Sequence, residues 1–136
     1  MPEALSLIAV VDDEESVRKA LHRLLRSAGF AVETFPSGAE FLLSVKDHEP
    51  SCVVLDLHMP QVNGFEVQAA LACAGGRVPV VVITGHDSPE AHARVMAQGA
   101  RGYLRKPVDD LMLLAAINAA IAGTSKAEIR GKPDKL

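Results

Sequence analysis

Cysteine is scarce in this chain of 136 residues: Cys52 and Cys73 are far apart and do not form a C-x-x-C pair. That excludes a disulfide framework and a thiolate metal centre, and Cys52, inside an apolar run, reads as a packed thiol. Long hydrophobic runs are also missing. The stretch Leu5 to Val11 is broken by Ser6, has no basic region before it, and is too short to cross a membrane or serve well as a signal peptide. A cytoplasmic protein is therefore expected. Neither sign of charge is in large excess; the net charge of -3 argues against a nucleic-acid surface covering the domain. No internal repeat or low-complexity block interrupts the chain. Its 49% hydrophobic and 23% charged residues instead suit one ordinary globular domain with a real core.

The most informative stretch is Cys52-Val53-Val54-Leu55-Asp56, which runs into Leu57-His58-Met59-Pro60 and then Asn63-Gly64. A short apolar run bounded by turn signals reads as a buried strand of a parallel sheet. Leu7 to Val11 reads the same way and ends in Asp12-Asp13-Glu14-Glu15. Val17, Ala20, Leu21, Leu24, Leu25 and Ala28 then recur at helical spacing before Gly29, with Arg18, Lys19, His22, Arg23 and Arg26 on the other face. A half-exposed strand is expected over Ala31 to Phe35, and a helix after Pro36-Ser37-Gly38. Further on, a helix follows Asn63-Gly64, a strand covers Val80 to Ile83, and a helix opens at Pro89 and ends at Gly99. A short strand from Gly102 to Arg105 precedes Lys106-Pro107, and a last helix is expected from about Asp109 to about Ala122. Five strands alternating with five helices predict a doubly wound α/β domain.

Each odd polar residue falls where a strand ends: Asp12 and Asp13 after the first, Asp56 after the third, Thr84 after the fourth, Lys106 after the fifth. Parallel strands would bring these ends to one rim, in the crevice where open α/β sheets bind ligands. Clustered carboxylates repel one another and suit Mg2+, which keeps waters and leaves room for a phosphate oxygen. With a lysine as point charge and a hydroxyl as donor, the set suits phosphoryl transfer to an aspartate.

The motifs V-V-D-D-E, V-L-D-L-H-M-P-x-x-N-G, V-I-T-G and G-A-x-G-Y-L-x-K-P, in that order, resemble the receiver domain of bacterial two-component response regulators. The resemblance spans about residues 6–122. It implies a flavodoxin-like (βα)5 fold with strand order 2-1-3-4-5. Asp56 would accept a phosphoryl group from a histidine kinase or phosphotransfer protein. Asp13, Asp56 and the backbone carbonyl of His58 would ligate Mg2+, with Asp12 acting through a water. Thr84 and Lys106 would hold phosphoryl oxygens, Pro107 would follow a cis peptide, Tyr103 would be the switch aromatic, and Gly85 would keep the site accessible. His58 and His86 occupy positions that tune the lifetime of the aspartyl phosphate. Partners would read the fourth helix, fifth strand and fifth helix. The last helix is apolar nearly all round, from Leu111 to Ile121, so a homodimer through that surface is a further expectation.

Two rivals share this architecture. A nucleotide binder needs a glycine-, serine- or threonine-rich anion loop after the first strand, where this chain places four acids. A magnesium-dependent aspartyl-phosphate phosphatase favours a second acid two residues after the nucleophile, where this chain has His58. A zinc site at His86 and His92 lacks an adequate ligand set. The expected organisation is a receiver domain over residues 1–122 and a polar, flexible tail or linker start over 123–136. We expect a stand-alone signalling switch rather than an enzyme; the alternative is the N-terminal receiver of a DNA-binding transcriptional regulator.

Overall fold

The computed structural model describes residues 5–126. In chain order the elements are β1 (Leu7–Val11), α1 (Glu15–Ser27), β2 (Ala31–Phe35), α2 (Gly38–Val45), β3 (Cys52–Asp56), α3 (Gly64–Cys73), β4 (Val80–Thr84), α4 (Pro89–Ala97), β5 (Gly102–Arg105) and α5 (Asp110–Lys126). The strands form one parallel sheet in the order β2-β1-β3-β4-β5. The flavodoxin-like doubly wound arrangement is thus the one the motifs imply.

The alternation of a strand divides the core in two. Ala9, Val11, Val53, Leu55 and Val82 face α2, α3 and α4, where they meet Phe41, Val67, Leu71 and Val95. Their neighbours Ile8, Val10, Val54, Val81 and Ile83 face α1 and α5, where they meet Leu21, Leu25, Leu113 and Ile117. β3 and β4 are buried along their whole length, which explains their continuous apolar runs. At the sheet's margin β2 is half-buried at all five positions, because its outer side has no neighbouring strand.

Local chemistry fixes the helix starts. Ser37 and Ser88 accept from the backbone N–H groups of Glu40 and Ala91, and Asn63 and Glu66 form a reciprocal capping box. Asp109 caps α5 by accepting from Met112 N–H at 3.0 Å. At α1 the N-cap side chain of Glu14 makes no such bond; this end of the helix serves the rim instead.

Two expectations change. Ala20 and Ala28 are exposed, so the apolar stripe of α1 rests on Leu21 and Leu25 with half-buried Val17 and Leu24. α5 continues past Ala122 to Lys126. The guanidinium of Arg101 lies within 3.0 Å of where a Cβ on Gly123 would sit, so the helix is still covered at that turn. Residues 127–136 of the expected tail lie outside the described residues.

Candidate functional site

The register of the sheet assembles the rim. Val11 pairs with Leu55, so Asp12 leaves β1 level with Asp56. Asp56 pairs with Ile83, putting Thr84 one residue further out, and Thr84 pairs with Arg105, with Lys106 next. Behind this rim the chain turns tightly under Asp56. A Cβ on Gly64 would lie 2.7 Å from the Asp56 carbonyl oxygen and 2.8 Å from Leu57 Cα, so only glycine fits there.

Asp12 and Asp56 are buried and Asp13 is exposed; one carboxylate oxygen from each lies within 4.8 Å of the others. The ammonium of Lys106 reaches into the group, with Nζ 2.8 Å from Asp12 Oδ2, 3.5 Å from Asp56 Oδ1 and 3.3 Å from Glu14 Oε1. Asp12 Oδ1 accepts from Glu14 N–H at 2.8 Å, and the Asp12 carbonyl accepts from Arg18 Nη1 at 2.8 Å. The contact of Asp12 Oδ2 with the lysine is a charge-assisted pair that meets the charge of this buried oxygen. His58 N–H donates to Asp56 Oδ1 over a long 3.4 Å. Thr84, fully buried, accepts from His86 N–H at 3.0 Å, which leaves its hydroxyl proton free to donate.

Burial and then the neighbouring Asp12 carboxylate push Asp56 up to about 7, against the pull of Lys106 and the His58 N–H; Asp13 pushes the same way. Burial acts to lower Lys106, but its contacts with Asp12, Asp56 and Glu14 outweigh this and hold it above its ordinary value. One ammonium thus faces two buried carboxylates, and the site carries more negative charge than it neutralises. The three clustered carboxylates, two of them buried and facing a single ammonium, fit a hard divalent cation with oxygen ligands.

The family model for the response regulator receiver domain matches residues 8–118. The chain belongs to that family. The receiver is 36% identical over 126 residues to the transcriptional regulatory protein FixJ of Azorhizobium caulinodans, covering 93% of this chain and 59% of that one. It is 36% identical to the response regulator protein TodT of Pseudomonas putida, covering 89% and 53%. The chain therefore spans little more than half the length of these curated relatives. Among solved structures, a response regulator receiver protein from Burkholderia phymatum superposes with a TM-score of 0.77 at 45% identity, over 86% of this chain and 95% of that one. A chemotaxis protein of Vibrio cholerae gives 0.81 at 30% identity, over 86% and 99%.

The other residues singled out in the sequence lie around this receiver rim. The Lys106–Pro107 peptide is cis. Gly85 is exposed, with nothing within 4 Å of where a Cβ would project. His58 and His86 stand on neighbouring loops, both exposed, with ring centroids 5.1 Å apart and planes perpendicular. Tyr103 is half-buried on β5, further from the acids; its hydroxyl donates to Asp87 Oδ1 at 2.8 Å and its ring stacks on His92. Four contributors went unassigned in the sequence: Glu14, Arg18, Asp87 and His92. Glu14 had a signal, since it extends the acidic run after β1. The other three are joined to the rim or to Tyr103 only by the fold.

Proposed function

We propose that this receiver is a phosphorylation switch in which Asp56 takes a phosphoryl group from a phosphohistidine on a partner histidine kinase or phosphotransfer protein. The observation that carries this reading is the buried Asp56 carboxylate 3.5 Å from Lys106, beside Asp12. In the step, an Asp56 oxygen forms a bond to phosphorus as the bond from phosphorus to the imidazole nitrogen breaks, and the imidazole leaves with its electron pair. Lys106 neutralises charge on the transferred oxygens and the Thr84 hydroxyl donates to one of them. Asp13, Asp56 and the His58 carbonyl would hold Mg2+, with Asp12 behind a water; the ion supplies further charge neutralisation at the phosphoryl oxygens. His58 and His86 flank the opening on which a hydrolytic water must arrive, which supports a role for both in the lifetime of the phosphoryl group.

The new charge and acceptor oxygens favour the conformation in which Thr84 moves toward them and Tyr103 turns inward. We read the chain as a switch, not a turnover enzyme, acting only on its own phosphoryl group. Its output surface would be α4, β5 and α5, where Leu111 and Met112 are exposed apolar side chains suited to a partner or a second copy. The greater length of FixJ and TodT, and the name of the former, support a transcriptional regulator as the whole protein. A receiver acting by protein contact alone is the other reading. Among the described residues no helix is long and apolar enough to cross a membrane, which is consistent with a cytoplasmic role.

Intact mass after incubation with a small acyl phosphate and Mg2+ tests the chemistry. One added phosphoryl group on the wild type, absent from Asp56→Ala and after chelation, is the expected result. A phosphoryl group retained on Asp56→Ala refutes the assignment. Sizing the phosphorylated protein then tests the dimer.

A further inference from the structure

We propose that Asp87 and His92 are positioning residues that latch Tyr103 in the half-buried position it holds here and so set the threshold of the switch. The inference rests on the reading of Tyr103 as the switch aromatic and adds the side chains that oppose its movement. Three elements meet at this ring. Tyr103 on β5 donates its hydroxyl to Asp87 Oδ1, in the loop after β4, at 2.8 Å. His92 on α4 lies parallel to the ring, centroids 4.4 Å apart and planes within 6°. Arg105 Nε sits 3.8 Å from the other Asp87 oxygen and helps hold the carboxylate in place.

The latch is tied to the phosphoryl site by the backbone. Thr84 Oγ1 accepts from the N–H of His86, the residue before Asp87. A Thr84 hydroxyl drawn toward a phosphoryl oxygen must give up or drag that bond, and Asp87 shifts with it. The other half of the latch stands on a lightly anchored helix: Val95 is the buried residue of α4. The buried Gln68 amide adds a bond to the Val95 carbonyl at 3.2 Å. Such an element can yield when the loop before it moves. A hydrogen bond and a ring stack each hold an equilibrium by about fivefold, so losing both favours the inward ring by roughly 25-fold.

Tyr103 is the only tyrosine and the chain has no tryptophan, so intrinsic emission reports this ring alone. The measurement is collisional quenching of that emission by acrylamide, with and without acyl phosphate and Mg2+, phosphorylation being checked by mass. In the wild type, phosphorylation is expected to lower the quenching constant as the ring turns inward. In unphosphorylated Asp87→Ala/His92→Ala the constant is expected to fall at least halfway to that value. Asp87→Asn/His92→Phe, which keeps an acceptor and a stacking ring, should stay near the unphosphorylated wild type. If His92 merely covers the ring, the alanine pair raises accessibility instead, and the latch is refuted. If phosphorylation leaves wild-type quenching unchanged, Tyr103 is not the switch aromatic and the underlying reading fails. Asp87 and His92 are both exposed, so truncating them opens no core.

Discussion

Replacing Asp56 with asparagine should make the metal-free protein more stable, although it removes the residue on which the proposed chemistry depends. The native state holds the Asp56 carboxyl at about 7 instead of 3.8, chiefly through burial and the nearby Asp12. Because its folded pKa is raised, the native state binds this proton more tightly than the unfolded chain does. Stability from this group is therefore fully present below about pH 4, is lost as pH rises, and levels off above about pH 7. Three units at about 1.4 kcal/mol each set a ceiling of about 4 kcal/mol on what the ionised carboxylate costs the fold. Asparagine removes that charge but also removes the attraction to Lys106 and must bury an amide. A net gain of roughly 1–3 kcal/mol at pH 8 is therefore expected, with the two proteins converging toward pH 4. Denaturant unfolding at several pH values in chelator measures it. Mg2+ should then stabilise the wild type more than Asp56→Asn, because the variant has lost a ligand charge. An asparagine variant no more stable at pH 8, or a gap that does not shrink with falling pH, would refute the argument that burial of like charge stores free energy here.

Other outcomes follow from the same contacts. Lys106→Met removes the cation that pulls Asp56 downward, so its carboxyl should titrate above about 7; phosphorylation by acyl phosphate should slow at pH 7, with its optimum moving to higher pH. Gly64→Ala places a methyl 2.7 Å from the Asp56 carbonyl oxygen and should cost about 2–3 kcal/mol in denaturant unfolding. Of the two thiols, Cys73 is exposed and should react with a thiol reagent at pH 8, whereas Cys52, buried in β3 and pushed up to about 12, should react only as the protein unfolds.

The layered fold was legible because each signal is local. Short uninterrupted β-branched runs such as Val80 to Ile83, bounded by turn signals, read as strands covered on both faces, and their alternation with amphipathic helices leaves a doubly wound sheet as the economical solution. The C-terminal limit was not legible. Gly123-Thr124-Ser125-Lys126 has the composition of a tail, yet it continues α5. The same holds for Ala20: it sits at the right spacing for the core, but a side chain so small leaves no mark of which way it faces.

The candidate site divides along the same line. Asp12, Asp13, Asp56, Thr84 and Lys106 were readable because parallel strands place consecutive ends on one rim, so position in sequence implies position in space. Asp87, His92 and Tyr103 share no such rule. Each belongs to a different element, and their meeting depends on the angle at which α4 leaves the β4 loop. That difference is physical. The rim is fixed by sheet register, which a rigid core enforces, whereas the Tyr103 cluster is fixed by a helix whose buried residue is Val95. A receiver needs both kinds of geometry: a rigid one to hold the reacting groups, and a weakly held one that a change of charge at the rim can shift.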